Sequence, residues 1–216
     1  GERLHILQHE RPFRSDSTDI AFRPDGKVLA TCIEIEIKLW DLSTGQELAA
    51  MEVPGRSEDE RRRNYMSVAL TWDSTGSLLA FGGAGLHFVD PKTMTLLHTV
   101  PGLGVTREVL FTTDGTRVIC STSDVGEDSD ERKIVSLAVP VKDVLPPQTP
   151  IELKSSIPPS FGPNGKWFVT ASGNDINLCD TRVGKVEQTF KGHTGRVNDA
   201  AFSPDGHHLA LSLIHI

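Results

Sequence analysis

Residues 21–30 read AFRPDGKVLA, and residues 201–210 read AFSPDGHHLA. Each stretch sets an Asp-Gly pair between two apolar runs. Glycine reaches positive φ without a Cβ penalty, so such a pair marks a tight hairpin turn. Three weaker copies lie between them: LTWDSTGSLLA (70–80), LFTTDGTRVI (110–119) and SFGPNGKWFV (160–169). The turn glycines are Gly26, Gly76, Gly115, Gly165 and Gly206, at steps of 50, 39, 50 and 41 residues.

A third apolar run follows three of these pairs: EIKLWD (36–41), GLHFVD (85–90) and DINLCD (175–180). Each ends on an aspartate, Asp41, Asp90 or Asp180, whose carboxylate can accept backbone N–H groups two residues on. A fourth run comes next: ELAAMEV, TLLHTV or VEQTF. Four short runs per unit of ~40–45 residues, with no 3.6-residue periodicity between them, form the pattern of a propeller blade and not of a helical solenoid. The expected fold is all-β, an incomplete β-propeller of four-stranded antiparallel blades, with about four complete blades and a partial fifth. The expected units are 13–55, 56–104, 105–155, 156–194 and 195–210, with 3–12 as an outer strand.

The chain has 216 residues, enough to bury a sizeable core. Hydrophobic residues make up 38% and charged residues 24%, an ordinary globular balance. A formal net charge of −7 argues against nucleic acid or an anionic membrane as partner. No apolar run approaches the ~20 residues of a membrane helix. The three cysteines, Cys32, Cys120 and Cys179, sit singly in apolar runs, which suits small buried hydrophobes better than a disulfide or zinc framework.

IKLWDLSTGQEL (37–48) and KGHTGRVNDAAFSPDG (191–206) resemble the WD40 repeat family of β-propellers, in its bacterial form. The first carries the Trp-Asp pair, Trp40 and Asp41, and the second the Gly-His pair, Gly192 and His193. The resemblance is strongest in units one, four and five and weakest in unit three. It implies a network within each blade of His, Ser or Thr, Asp and Trp. Unit one supplies Thr31 and Trp40, with His9 as the candidate histidine. Unit four supplies Ser172 and Asp175, with Cys179 in the Trp place. Blade cohesion is therefore expected mainly from apolar burial between sheets, at ~25 cal/mol per Å².

Seven such blades need roughly 300 residues, so a shorter chain is expected to be a fragment. The last six residues, LSLIHI (211–216), match the translation of CTG TCT CTT ATA CAC ATC, a transposon-end adapter string of sequencing libraries. The expectation is that they are adapter sequence, with a natural apolar strand as the alternative.

Three inserts interrupt the repeat: GRSEDERRRNY (55–65), SDVGEDSDERK (123–133) and VPVKDVLPPQTPIELKSS (139–156). Binding residues concentrate in loops on rigid scaffolds. Arg61, Arg62 and Arg63, with Glu127, Asp128, Asp130 and Glu131, are the candidate partner-binding residues. The competing reading is a pair of solvated charge runs. Glu58, Asp59 and Glu60 offset the arginines, and no aromatic alternates with them, so nucleic acid is a poor fit. The acidic run lacks the order of a calcium loop. Pro147 and Pro150 make a PxxP within a stiff connection. No nucleophile elbow, zincin motif or phosphate loop occurs. Asp19, Glu108 and Asp199, near the starts of first strands, are the only axial metal candidates.

The expected function is a non-catalytic scaffold that binds other proteins or domains through rim loops. It needs no cofactor, metal or small-molecule substrate, sits within a larger multidomain protein, and is assigned to the cytoplasm ahead of other compartments. The alternatives are a hydrolase- or lactonase-like propeller enzyme and a periplasmic accessory propeller.

Overall fold

The computed structural model describes residues 5–9, 18–33, 36–53, 69–123, 132–140, 151–163 and 165–213. Every described element is a β-strand, and no described helix is long and apolar enough to cross a membrane. The chain divides into two compact units, Gly1–Val109 and Leu110–Ile216.

In the first unit, β1 (Thr18–Phe22), β2 (Val28–Ile33), β3 (Glu36–Asp41) and β4 (Glu47–Glu52) form an antiparallel sheet in that order. The first turn joins β1 to β2 in the register Phe22↔Leu29 and Ile20↔Thr31. β5 (Leu70–Trp72), β6 (Leu79–Asp90) and β7 (Thr95–Phe111) follow, and β7 carries the chain across Val109 into the second unit. β6 reverses within its own length. At about 3.3 Å per residue, six residues of straight strand span roughly 20 Å, yet the rings of Phe81 and His87 stack with centroids 4.7 Å apart. Glycines make the reversal possible: Gly83 takes φ 149° and Gly85 φ 115°. The two arms of β6 are the second and third strands expected for the second repeat.

The second unit holds β8 (Arg117–Ser123), β9 (Arg132–Ala138) and β10 (Ile151–Ser155) as antiparallel neighbours. A four-stranded sheet follows: β11 (Ser160–Phe161), β12 (Trp167–Ser172), β13 (Asp175–Asp180) and β14 (Val186–Phe190). β15 (Val197–Phe202) and β16 (Leu209–Leu213) pair as a hairpin. Leu211, Ser212 and Leu213 extend β16 opposite Ala200, Asp199 and Val197. Residues 5–9, within the expected outer strand 3–12, join no ladder; their two histidines seat them on the first sheet instead.

Burial follows the two-residue strand period. One face of the first sheet turns Val28, Ala30, Cys32, Ile37 and Leu39 into a core shared with Leu70, Trp72 and Phe81. In the second unit, Ala200, Phe202, Leu209 and Leu211 pack on Val169, Ala171 and Ile176.

Candidate functional site

The five repeated turns share one set of bonds. In each, the glycine N–H bonds the carbonyl three residues back, and that residue's own N–H bonds a carbonyl five residues on. The pairs are Gly26 with Arg23, Gly76 with Asp73, Gly115 with Thr112, Gly165 with Gly162 and Gly206 with Ser203. The five glycines take φ between 61° and 73°. Side chains lock the turns further. Asp25, Asp114 and Asp205 accept the N–H groups of Lys27, Thr116 and His207. The Arg23 guanidinium holds the Asp25 carboxyl down at about 2. Bonds from the Thr112 and Ser203 hydroxyls lower Asp114 and Asp205.

The turns between third and fourth strands repeat as well. Asp41 accepts from the N–H groups of Ser43 and Thr44, Asp90 from Lys92, and Asp180 from Arg182 and Val183. These three aspartates sit where the sequence predicts them, and they act on the backbone.

A polar network crosses the first sheet. The Trp40 indole N–H donates to Thr31 Oγ at 2.8 Å. The His9 ring lies 2.8 Å from the same oxygen through Nε2 and 3.0 Å from Glu36 Oε2 through Nδ1. The Glu36 carboxylate only accepts, so His9 Nδ1 donates to it, and the Thr31 hydroxyl joins the His9 ring to the Trp40 indole. Glu36 stands where the family pattern would put an aspartate; reading only for Asp passes over it. Lys38, its side chain only 7% exposed, donates to Glu47 at 2.8 Å and lies 3.9 Å from Glu36. Its Nζ also lies 5.5 Å from the centre of the Trp40 ring.

Unit four differs from its expected network. Ser172 is exposed and pairs across the strand with Asp175. The register sets Phe168 opposite Cys179 as it sets Leu29 opposite Trp40, so Thr170 takes the place of Thr31. Its hydroxyl lies 4.0 Å from the Cys179 thiol. Asp175 instead lies 3.6 Å from Lys191. At the fifth repeat, Gly192 takes φ 124° and His193 is half-buried. Leu211, opposite Ala200, offers no hydroxyl where Thr31 stands opposite Ile20.

Arg61, Arg62, Arg63, Glu127, Asp128, Asp130 and Glu131 lie outside the described residues, as do Pro147 and Pro150. Their loops leave and rejoin the sheets at buried positions: Val53 and Ala69 for one, Ser123 for the other. Among the described residues no cluster of three or more His, Cys, Asp or Glu could hold a metal. Asp19, a metal candidate by sequence, is a strand clamp: its Oδ2 accepts the Leu70 N–H at 2.6 Å.

Residues 184–212 match the WD domain, G-beta repeat family model. The chain carries a WD40 repeat. A WD40 protein of Synechocystis sp., described as an uncharacterized WD repeat-containing protein, is 26% identical over 158 residues. That match takes in 67% of this chain and 43% of the relative, so the chain spans less than half the relative's length. Among solved structures, Kuenenia stuttgartiensis hydrazine synthase superposes with a TM-score of 0.61 at 15% identity, over 89% of this chain and 54% of that one. That likeness is one of fold. The WD40 repeat therefore sits in an all-β, propeller-type fold that includes two four-stranded antiparallel sheets.

Proposed function

We propose that this chain is a non-catalytic scaffold that binds other proteins through loops held on a repeated β frame. The observation that carries the reading is the set of five turns with the same bonds at Gly26, Gly76, Gly115, Gly165 and Gly206. Such turns hold the first and second strands of each repeat in register, and loops carried between strands held in register bind without a large ordering cost. The WD40 match supports an interaction role in general terms. The charged inserts are the proposed contact sites: Arg61, Arg62 and Arg63 in one loop, and Glu127, Asp128, Asp130 and Glu131 in the other. The greater length of the Synechocystis relative agrees with a place in a larger multidomain protein.

The test is affinity capture with quantitative mass spectrometry, using the chain and two charge-neutral variants. One carries Arg61→Ser, Arg62→Ser and Arg63→Ser; the other carries Glu127→Gln, Asp128→Asn, Asp130→Asn and Glu131→Gln. Loss of the same partners from a variant that melts like the parent supports the reading. Equal capture by all three proteins removes the loops from it.

A further inference from the structure

Three of the repeated turns set glycine directly after aspartate: Asp25-Gly26, Asp114-Gly115 and Asp205-Gly206. Such a pair is open to a reaction within its own backbone, since glycine has no Cβ to hinder its nitrogen. The glycine nitrogen attacks the aspartate Cγ. An N–Cγ bond forms, the amide proton is lost and one carboxyl oxygen leaves as water. Water then cleaves the imide between the glycine nitrogen and the aspartate main-chain carbon. The chain now runs through Cγ, as isoaspartate, with no net reagent consumed. A carboxylate must gain a proton before its oxygen can leave, so bonds that favour the charged form slow the reaction.

The three turns oppose this chemistry unequally. Their shared part is the same: each glycine N–H bonds the carbonyl three residues back, at 2.8 to 2.9 Å. Each aspartate Oδ1 also accepts the N–H two residues on, from Lys27, Thr116 or His207. Beyond that they differ. Arg23 clamps Asp25 through both oxygens, Nε to Oδ1 at 2.9 Å and Nη2 to Oδ2 at 2.7 Å. Charge-assisted, bidentate bonds of this kind are roughly twice as strong as neutral ones. The side-chain hydrogen bonds at Asp114 come from the Thr112 and Thr116 hydroxyls and fall on Oδ1 alone. At Asp205 the donor is the Ser203 hydroxyl, again to Oδ1, and the exposed His208 ring stands off at 4.0 Å. Arg117, in the turn of Asp114, bonds Ser136 instead, and Arg182 acts on Asp114 by charge alone.

We propose that Arg23 guards Asp25 against isomerisation, and that Asp114 and Asp205, whose carboxyls no arginine clamps, are the sites where the folded chain converts to isoaspartate. AFRPDG (21–26) and AFSPDG (201–206) differ only at Arg23 and Ser203, so the two turns are a matched pair. Every group involved lies within six residues of its aspartate, apart from Arg182. Conversion adds one methylene to the backbone of the turn and breaks the spacing of its glycine bond. At Asp114 the damage reaches the next turn, because Thr113 lies so close under Gly165 that a Cβ there would collide with it.

Peptide mapping by electron-transfer mass spectrometry, after long incubation at neutral pH, reads each site separately. In the folded parent, isoaspartate should accumulate at Asp114 and Asp205 well ahead of Asp25. Arg23→Gln keeps the aliphatic stem and removes the clamp; it should raise the Asp25 rate about tenfold, the effect of one unit of carboxyl pKa. Ser203→Arg recreates the clamped turn and should slow Asp205 by a similar factor, with circular dichroism confirming that both variants fold. In guanidinium the three sites should react at similar rates and neither substitution should matter. The proposal is overturned if Asp25 keeps pace with the other two in the folded parent, or if Asp114 and Asp205 stay unconverted there. It also falls if neither substitution moves its site, or if the order of rates survives in guanidinium.

Discussion

Met94 holds φ 52° at the turn position that Gly45 fills at φ 71° and Gly184 at φ 62°. All three sit four residues after a turn aspartate: Asp90, Asp41 and Asp180. Met94 is the only described non-glycine residue with positive φ. Its side chain packs against the core of Val28, Leu39 and Phe81, which offsets the backbone strain.

Two substitutions read that balance. Gly45→Ala puts a Cβ 2.7 Å from the His5 ring at a φ that L-residues resist. It should lower stability by about 1–2 kcal/mol. Met94→Val adds β-branching in the same backbone region and removes packing, and it should cost at least as much. Urea melts of both variants against the parent decide the matter; no change in midpoint for either would show that these turns relax freely.

Thr31→Val removes a hydroxyl that serves Trp40 and His9 together. The buried indole N–H then loses its acceptor, and the expected loss is about 1–3 kcal/mol. A double-mutant cycle with Trp40→Phe should show coupling, since the two residues share one bond. Strict additivity would mean that the network contributes nothing as a unit.

The thiols should be inert in the folded chain. Burial pushes Cys120 up to about 12 and Cys179 up to about 11, so at pH 8 only about one Cys179 in a thousand is thiolate. Ellman's reagent at pH 8 should titrate the cysteines slowly in buffer and rapidly in 6 M guanidinium. Immediate labelling of Cys120 or Cys179 in buffer would contradict their burial.

Stability should fall on the acid side. Hydrogen bonds lower the carboxyls of Asp25, Asp41, Asp114 and Asp205 in the folded chain. Asp73 is lowered as well: burial acts to raise it, but bonds from Thr75, Leu78 and Ser77 together prevail. A depressed carboxyl stabilises the fold above its unfolded value, and that contribution is lost as pH falls through the folded one. The melting temperature should therefore hold down to about pH 4 and drop between pH 4 and pH 2, where Asp25 protonates. Asp41→Asn should make that drop shallower, because it removes one of the protonating groups.

Much of this chain was legible as sequence because its strongest signals are local. A turn glycine after Asp or Asn acts within six residues, so AFRPDGKVLA and AFSPDGHHLA announce their hairpins without reference to the rest of the molecule. The same holds for Asp41, Asp90 and Asp180, whose N–H donors lie two or three residues away. The two arms of β6 were legible too, as the separate apolar runs ending at Ala80 and starting at Gly85.

Other features needed the tertiary structure, because they join residues far apart in the chain. The bond from Leu70 to Asp19 spans 51 positions, and that from His9 to Glu36 spans 27. No spacing rule singles out Glu36 as the carboxylate, or Thr170 over Ser172 as the hydroxyl. Strand register decides both, since a shift of one residue turns a side chain to the other face. By itself the sequence determined where the chain turns and which residues alternate. Only the packing of sheets decided which alternating face is covered, because burial is a property of what lies opposite and not of the strand alone.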